Sequence, residues 1–570
     1  MQKILFVNPI NYSSIYFTTL LSRWPYLGAY QLARLTPEDI EVEIADEALK
    51  EFDPDAISDP PDFAAISVNF TAAAARGYKI ADALRKRGIK VIIGGNHATY
   101  CSEEAKRHAD SVVMGEADEI WETIIEDARK NNLQPLYQAK RLPDLGDIRF
   151  KRKNPLLDIP PVDFASTAQG LGVDMNQVSD RGEVLKSIHH TQGQDGILGK
   201  VIRPIQDFFF TKFMEGDFDR FLRMPGVGSL SRMAIHKIIQ TAMVPMMRQN
   251  KDLMFQIATR PFGGYILKKI LQVGRGCPVD CEFCSVSAFN GKRYRHYKID
   301  QLVADIEELA GDGKGMDRFI AFADDNIVAD PRFAKEFFRA IKPLKIKWWS
   351  QATIQMARDP ELLRLAADSG CVGIFYGFET LKQDALKAVD KGFKVKDYVD
   401  VIKRTHDAGI AILTGAFVFG LPGDTLGDIE RTVDFCIEHG IDFPQFTVLT
   451  PVPGTRLWNR VYGDAMPSED YWGNYTYFSA LDTPAIRESS MNAGELGQAW
   501  TEAYKKACSK QAVDKRLSKT AWSSAFVMGG VYFMNYLYTL FTEEDSWDSL
   551  GGRRDHIGAP HNGRLQPVKS

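Results

Sequence analysis

Two stretches of the chain alternate short apolar runs with amphipathic helical patterns, and this alternation constrains the fold most. The first stretch covers residues 1 to about 150, and the second covers residues about 269 to 460. Strands that alternate with helices are typical of parallel sheets flanked by helices. A chain of 570 residues is too long for one ordinary core. The sequence therefore predicts an α/β protein of two to four domains.

The first stretch predicts a doubly wound, flavodoxin-like domain over residues 1–150. Its strands are predicted at 4–7, 42–45, 63–68, 90–93 and 111–114, and a helix is predicted at 72–87. In open parallel sheets, ligands lie beyond the carboxyl ends of the strands. The residues at those ends are small or polar: Asn8, Asn69, Gly94, Gly95, His97 and Gly115.

Three cysteines, Cys277, Cys281 and Cys284, stand close together with Cys-x3-Cys-x2-Cys spacing. A cubane iron-sulfur cluster normally takes four Cys thiolates, and the other four cysteines of the chain are distant in sequence. The spacing therefore predicts a cluster with one iron open to another ligand. The alternatives are three unrelated buried thiols or a zinc knuckle, for which His296 is the nearby candidate for a fourth ligand.

The cysteine segment resembles the cluster loop of the radical S-adenosylmethionine (SAM) superfamily. The resemblance implies that Cys277, Cys281 and Cys284 bind a 4Fe-4S cluster, that SAM chelates the fourth iron, and that Phe283 lies beside the adenine. Strands predicted at 319–322, 347–350, 372–375 and 416–419 then suggest a partial or full parallel β/α barrel over residues 269–480.

By position at the ends of these strands, the resemblance also implies the residues that hold SAM. Asp324 and Asp325 would bind the ammonium, Gln351 would lie near the carboxylate, and Glu379 would bind the ribose. Pro422 would lie under the adenine. Each residue alone could be an ordinary polar or turn residue at a strand end, but their order after the cysteines favours the SAM site.

The N-terminal stretch resembles the cobalamin-binding domain that precedes many radical SAM enzymes. In that domain a Gly-Gly-x-His-x-Thr motif borders the cofactor, which here implies contacts from Gly94, Gly95, His97 and Thr99. The chain lacks the Asp-x-His-x-x-Gly motif that supplies a cobalt ligand in methionine synthase. The resemblance therefore implies cobalamin without a protein histidine on cobalt, and an empty docking domain is the alternative.

Three regions lie outside this plan. Residues 151–268 predict a linker and a helical, apolar insertion rich in Met and Phe, which suits a lid or membrane-surface element over a lipid-like substrate, or a helical subdomain with its own core. Residues 481–550 predict a helical C-terminal region. Within it, the uncharged stretch Trp522 to Phe541 favours packing over membrane contact or spanning. Residues 551–570 predict a disordered tail.

Charge and cysteine content narrow the partners and the compartment. The net charge is −4 and no Lys/Arg block appears, so the sequence makes no case for nucleic acid. Seven cysteines, three of them in one motif, favour a reducing, cytoplasmic compartment. The apolar regions leave room for peripheral membrane contact.

Segments Phe289 to Arg295 and Leu449 to Thr455 resemble the branch that contains hopanoid and bacteriochlorophyll side-chain methylases. This resemblance implies cleavage of SAM to a 5′-deoxyadenosyl radical, driven by an external flavodoxin- or ferredoxin-type electron donor. The first hypothesis is methylation, with cobalamin, of an unactivated carbon in a hydrophobic lipid, isoprenoid or tetrapyrrole-like substrate.

Two other functions stay open at this point. One is ring formation or carbon-carbon bond formation on a lipid or porphyrin by a radical SAM enzyme. The other is a non-catalytic iron-sulfur protein for electron transfer or sensing, which would need no nucleoside pocket.

Overall fold

The computed structural model describes residues 2–10, 25–159, 268–312, 318–463, 465–467, 472, 475, 490–519 and 535. The predicted insertion, the stretch Trp522 to Phe541 and the predicted tail lie outside these residues, apart from a few positions. The predicted domain boundaries therefore stay predictions.

The N-terminal domain is built on six parallel strands in the order β2-β1-β3-β4-β5-β6. The strands are β1 (Lys3–Asn8), β2 (Glu41–Asp46), β3 (Phe63–Ser67), β4 (Lys90–Gly94), β5 (Ser111–Met114) and β6 (Leu136–Gln138). Five of them match the predicted runs, and this strand order is that of a flavodoxin-like sheet. The predicted doubly wound fold is confirmed.

In the described part of this domain, five α-helices accompany the sheet: α1 (Leu27–Leu35), α2 (Ala74–Lys86), α3 (Asn96–Tyr100), α4 (Ser102–His108) and α5 (Trp121–Arg129). Helix α2 buries Ile80, Ala81 and Leu84 on one face, as its amphipathic pattern predicts. On α5, Trp121 packs its ring 5.5 Å from that of Phe6 in β1. These contacts form the core beneath the strand ends.

A second sheet contains six parallel strands in the order β14-β13-β12-β11-β10-β7. Its strands are β7 (Ile270–Leu271), β10 (Phe319–Phe322), β11 (Lys347–Ala352), β12 (Cys371–Glu379), β13 (Ile412–Phe419) and β14 (Phe443–Val448). A short antiparallel ribbon pairs β8 (Gly274–Arg275) with β9 (Arg295–His296). In the described residues β7 and β14 form the two edges, so the sheet is a partial barrel.

The remaining helices belong to this second unit and to the region after it. They are α6 (Ser285–Phe289), α7 (Ile299–Ala310), α8 (Pro331–Ile341), α9 (Gln355–Arg358), α10 (Pro360–Asp368), α11 (Gln383–Ala388), α12 (Tyr398–Asp407), α13 (Leu426–His439), α14 (Arg456–Tyr462), α15 (Ala493–Ala507) and α16 (Lys510–Leu517). None of the helices in the described ranges is long and apolar enough to cross a membrane.

The pleat of β11 separates the two faces of the second sheet. Trp348 packs against Phe338 of α8, with ring centroids 5.1 Å apart, and therefore faces the helical layer. Side chains alternate along a strand, so Trp349 and Gln351 face the opposite, concave side. Both are partly exposed, whereas Trp348 is fully buried. The concave face is thus the accessible one.

Candidate active site

The three cysteines lie on a tight loop between β8 and α6. Gly276 has φ of +93°, and a Cβ atom there would lie 2.4 Å from the carbonyl oxygen of Arg293, so only glycine fits this turn. The Cys277 N–H donates to the Gly291 carbonyl at 3.2 Å, and the Cys284 N–H donates to the Cys281 carbonyl at 3.1 Å. The backbone therefore folds the thiols into one short loop.

Burial raises the pKa of the Cys281 thiol to about 11 and that of Cys284 to about 12, and it also raises the pKa of Cys277. Nearby positive charge from Lys391 opposes this rise at Cys281. Thiols in such surroundings ionise when they bind a metal. Their donor chemistry therefore fits a thiolate-bound cluster.

No three His, Cys, Asp or Glu side chains in the described ranges converge around a single ion position. A cubane cluster does not need such convergence, because its thiolates bind different irons. His296, the fourth zinc ligand considered from sequence, instead stacks on Phe333 with ring centroids 3.6 Å apart.

Asp324 anchors the chain that leads into the cysteine loop. It is fully buried and accepts hydrogen bonds from the Val273 N–H at 2.8 Å, the Gly274 N–H at 2.7 Å and the Tyr294 hydroxyl at 3.0 Å. Its carboxylate is thus occupied by the β7–β8 connection and by Tyr294. The predicted role of Asp324 toward the SAM ammonium stays a prediction.

Asp325 and Asn326, the two residues after Asp324, lie near the cysteines. Burial raises the pKa of Asp325 to about 6. The negative charge of Asp325 in turn raises the pKa of the Cys277 and Cys284 thiols. Asn326 directs its Nδ2 toward the Cys277 Sγ at 3.8 Å, and its Oδ1 accepts from the Thr353 N–H at 3.1 Å. Sequence reasoning missed Asn326, although it follows the two predicted aspartates at the same strand end.

Glu379 stands at the end of β12, where the strand register shifts and its own φ is +65°. Its carboxylate pairs with the ammonium of Lys391, and both side chains are nearly buried. Attraction to the negative charge of ionised Cys281 and Cys284 also raises the pKa of Lys391. Lys391 was not predicted, because it comes after a helix and carries no periodic or motif signal.

Three other predicted SAM contacts fall around the same end of the sheet. Gln351 lies on the concave face opposite Phe375 in the strand register. Phe283 is partly buried against the core. Pro422 lies in the turn after β13, where Gly420 and Gly423 have φ of +83° and +72°. These positions agree with strand-end placement, while their contacts to SAM stay predictions.

Helix α14 holds the cysteine loop from outside. Arg456 donates to the Asp280 carbonyl at 2.5 Å, the Leu457 N–H donates to the Glu282 carbonyl at 3.0 Å, and Arg460 pairs with the Glu282 carboxylate at 2.6 Å. The helix begins directly after the Leu449 to Thr455 segment. That segment thus ends in a clamp on the cysteine loop.

The predicted cobalamin residues gather at the carboxyl edge of the first sheet. Gly95 has φ of +105°, and a Cβ atom there would lie 2.7 Å from the Val68 carbonyl oxygen. The Thr99 hydroxyl donates to the Gly95 carbonyl at 2.9 Å and accepts from the Gly115 N–H at 2.9 Å. Small residues and one bridging threonine therefore leave this edge without large side chains and partly exposed, which suits a bulky flat ligand.

The other predicted positions on this edge have their own partners. Asn8 is buried and donates to Asp46 at 3.2 Å, and Asn69 donates to Ser67 at 3.0 Å. His97 is 1% exposed, with Nδ1 3.3 Å from the Thr71 hydroxyl and Nε2 3.3 Å from the Glu104 carboxylate. Both ring nitrogens of His97 are thus engaged, while the absence of a protein histidine on cobalt stays a prediction.

The N-terminal domain and the second unit meet at this edge. Glu104 also accepts from the Trp472 indole at 2.9 Å, and the Tyr100 ring lies against Gly454, where a Cβ atom would come within 2.4 Å of it. The Gly-Gly-x-His-x-Thr loop and helix α4 therefore pack on the segments that follow β14. The carboxyl edge of the first sheet faces the end of the barrel that carries the cysteines.

Comparison with protein families agrees with this architecture. The radical SAM superfamily model matches residues 271–436, and the B12 binding domain model matches residues 13–125. The chain therefore contains a radical SAM domain and, before it, a B12-binding domain.

The chain is also similar to named relatives. Bacteriochlorophyllide d C-8(2)-methyltransferase of Chlorobaculum tepidum is 26% identical over 452 residues, which cover 78% of this chain and 77% of the relative. Bacteriochlorophyllide d C-12(1)-methyltransferase of the same organism is 24% identical over 552 residues, which cover 95% and 94%. The chain is thus similar, over most of its length, to two methyltransferases of bacteriochlorophyllide d.

A solved structure has the same fold. TsrM, a radical SAM methyltransferase from Kitasatospora setae solved with cobalamin and a 4Fe-4S cluster, matches with a TM-score of 0.50 and 15% identity. The match covers 80% of this chain and 77% of that chain. The radical SAM domain of this chain implies a 4Fe-4S cluster, SAM and a reductant, and its B12-binding domain implies cobalamin. A non-catalytic iron-sulfur module is not supported.

Proposed function

We propose that the enzyme methylates an unactivated carbon of a hydrophobic substrate, of the tetrapyrrole or lipid class. The observation that carries this proposal is the packing of the Gly-Gly-x-His-x-Thr loop on the segment after β14, at Tyr100 and Gly454. This contact brings the cobalamin edge to the mouth of the barrel beside the cysteine loop. A substrate in the barrel would therefore lie within reach of both cofactors.

The concave face of the barrel supports an apolar and flat substrate. Trp349 and Phe375 are partly exposed on this face, with ring centroids 6.4 Å apart and planes at 77°. Gly373 leaves room for the indole, because a Cβ atom there would lie 2.6 Å from Trp349 Cδ1. Aromatic rings on an accessible face favour stacking and edge contacts with extended ring systems. The two bacteriochlorophyllide methyltransferases among the relatives agree with such a substrate.

The chain itself supplies binding, orientation and exclusion of water. When bound, the cluster and SAM supply radical hydrogen abstraction, and cobalamin supplies the methyl group. Asp324 fixes the approach to the cysteine loop, and helix α14 holds the loop from outside. The N-terminal domain contacts the segments that follow β14 at the barrel mouth. We propose that Asp325, Gln351, Glu379 and Pro422 hold SAM at this end of the barrel.

Anaerobic turnover with methyl-labelled SAM, a one-electron reductant and a bacteriochlorophyllide or a lipid extract tests the proposal. We expect label in a carbon-methylated product, together with 5′-deoxyadenosine. Deoxyadenosine without any methylated product would refute methylation, and a ring-closed product of unchanged carbon number would favour the bond-forming alternative.

A substitution tests the binding face separately. Trp349→Ala is expected to raise KM for the hydrophobic substrate while SAM cleavage without substrate persists, because the indole contributes apolar contact area. The matched control is Trp500→Phe. Trp500 lies on α15 and donates to the Phe446 carbonyl at 2.9 Å, away from the concave face. Equal KM values for wild type and Trp349→Ala would remove this face from the substrate site.

A further inference from the structure

The ribbon that leads into the cysteine loop carries two like charges in a costly position. Arg275 and Arg295 are directly opposite each other in the β8–β9 pairing. Their side chains are only 7% and 9% exposed. Like charges that face each other across paired strands destabilise the pairing, and burial removes the water that would screen them. The ribbon therefore needs anions from elsewhere.

The cobalamin domain provides those anions. Glu116 accepts from Arg275 Nη1 at 2.6 Å and from Arg295 Nη2 at 2.5 Å, so one carboxylate bridges both guanidinium groups. Asp118 accepts from Arg275 Nη1 at 2.8 Å and Nη2 at 2.9 Å. Gln31 of α1 adds an acceptor for Arg275 Nη2 at 2.6 Å. Two buried cations are thus balanced by two buried anions across the domain interface.

The sequence positions of this network link the two cofactor sites. Arg275 precedes Cys277 by two residues, on the chain that enters the cysteine loop. Glu116 directly follows Gly115, whose N–H is held by Thr99 of the Gly-Gly-x-His-x-Thr motif at 2.9 Å. A movement of Gly115 would therefore be passed to Glu116, from there to Arg275, and so to the cysteine loop.

Stability alone is a poor explanation for such a network. Replacing buried ion networks by apolar residues is often neutral or favourable, because desolvation offsets the attraction between the charges. A bidentate arginine contact, by contrast, accepts little error in distance or angle. The arrangement is suited to fixing the relative position of two parts of the protein.

We propose that Glu116 and Asp118 are positioning residues that couple the cobalamin edge to the cysteine loop through Arg275 and Arg295. Binding of cobalamin against Gly115 would then hold the ribbon more firmly, and the ribbon would set the position of the cysteine loop relative to cobalamin. This inference rests on the proposed function, in which both cofactors act on one substrate.

Hydrogen exchange of the holoenzyme and of the cobalamin-free protein tests the coupling without any turnover. We expect added cobalamin to slow amide exchange in peptides that contain Gly274, Arg275, Arg295 and His296 by about fivefold or more, the lower range of measured couplings. In Glu116→Gln, cobalamin should still bind, as its visible spectrum reports, but the slowing of the ribbon should disappear. Absence of slowing in the wild type, or full slowing in Glu116→Gln, would overturn the inference.

Two further variants control for folding and for general loss of charge. Glu122→Gln removes a carboxylate of α5 that pairs with Lys151 at the surface, where it is 68% exposed, and it should behave as wild type. Asp118→Asn keeps the Glu116 bridge and should lose only part of the slowing. If Glu116→Gln does not fold, Asp118→Asn carries the test, and unchanged slowing in that variant would count against the proposal.

Turnover separates this inference from the proposed function. In Glu116→Gln we expect more 5′-deoxyadenosine per methylated product than in wild type, because SAM cleavage would continue while methyl transfer is misaligned. An enzyme that never forms methylated product but shows cobalamin-dependent slowing of the ribbon would refute the proposed function and leave the coupling intact.

Discussion

Replacing Lys391 by methionine is expected to destabilise the barrel by about 3–5 kcal/mol, the cost of leaving a buried charge without its partner. The Lys391 and Glu379 side chains are 8% and 9% exposed, so water does little to solvate either charge. Methionine has nearly the length of lysine and leaves little cavity. The lost free energy should therefore arise from the stranded Glu379 carboxylate and not from packing.

A double-mutant cycle isolates that cause. Lys391→Met combined with Glu379→Gln removes both charges, so the double variant should be more stable than Lys391→Met alone by at least about 1 kcal/mol. Glu379 has φ of +65°, a backbone conformation that residues other than glycine rarely adopt. Since Gln keeps this backbone strain, the comparison reports the charges.

Urea unfolding of the cluster-free protein, followed by tryptophan fluorescence, measures these differences. The matched control is Lys387→Met, because Lys387 and its partner Asp384 are 70% and 96% exposed. Exposed ion pairs of this kind contribute little to the free energy of unfolding. The control should therefore unfold at the same urea concentration as the wild type. Additive losses in the double variant would refute the reasoning, since they would mean that the two side chains do not stabilise each other.

Three more predictions concern the cysteine loop and the turn after β13. Cys284→Ala should lose iron and reductive SAM cleavage, whereas Cys371→Ala should keep both, because Cys371 is buried at the start of β12; iron analysis and deoxyadenosine yield decide, and equal behaviour would refute the ligand assignment. Asn326→Leu should lower the reduction potential of the cluster, since it removes an N–H directed at Cys277 Sγ; an unchanged potential in a redox titration would contradict this. Burial raises the pKa of Asp424 to about 6, above its ordinary 3.8, so the ionised carboxyl costs stability above pH 6 and that cost disappears as the pH falls toward 4. Asp424→Asn should therefore unfold at higher urea than wild type at pH 7, with a smaller difference at pH 4, and a difference that grew on acidification would be the opposite of this expectation.

Much of the fold could be predicted because buried parallel strands have continuous apolar sequences. The predicted runs at 63–68 and 90–93 correspond to β3 (Phe63–Ser67) and β4 (Lys90–Gly94). The ribbon strands Gly274–Arg275 and Arg295–His296 were not predicted, since two residues carry no periodicity. They nevertheless carry Arg275 and Arg295, which contact Glu116 of the N-terminal domain.

The candidate site was predictable in residue type more than in orientation. Asp324 and Asp325 are adjacent and chemically alike. Asp324 is fully buried and accepts from the Val273 and Gly274 N–H groups. Asp325 instead lies near enough to Cys277 for its charge to raise the pKa of that thiol. Which of two neighbouring side chains faces the site depends on the exact end of β10, and sequence patterns do not fix strand ends that closely. Lys391 reaches the site only through the turn after α11.

The clamp of α14 on the cysteine loop also has a consequence for the order of assembly. The hydrogen bonds from Arg456 and Arg460 span 176 and 178 residues of sequence. Contacts of such long range form late in folding, because a large loop must close first. During synthesis the three cysteines emerge long before the helix that will hold them. The chain therefore passes through a stage in which the cysteine loop lacks the hydrogen bonds from α14, and packing of that helix against Asp280 and Glu282 ends that stage.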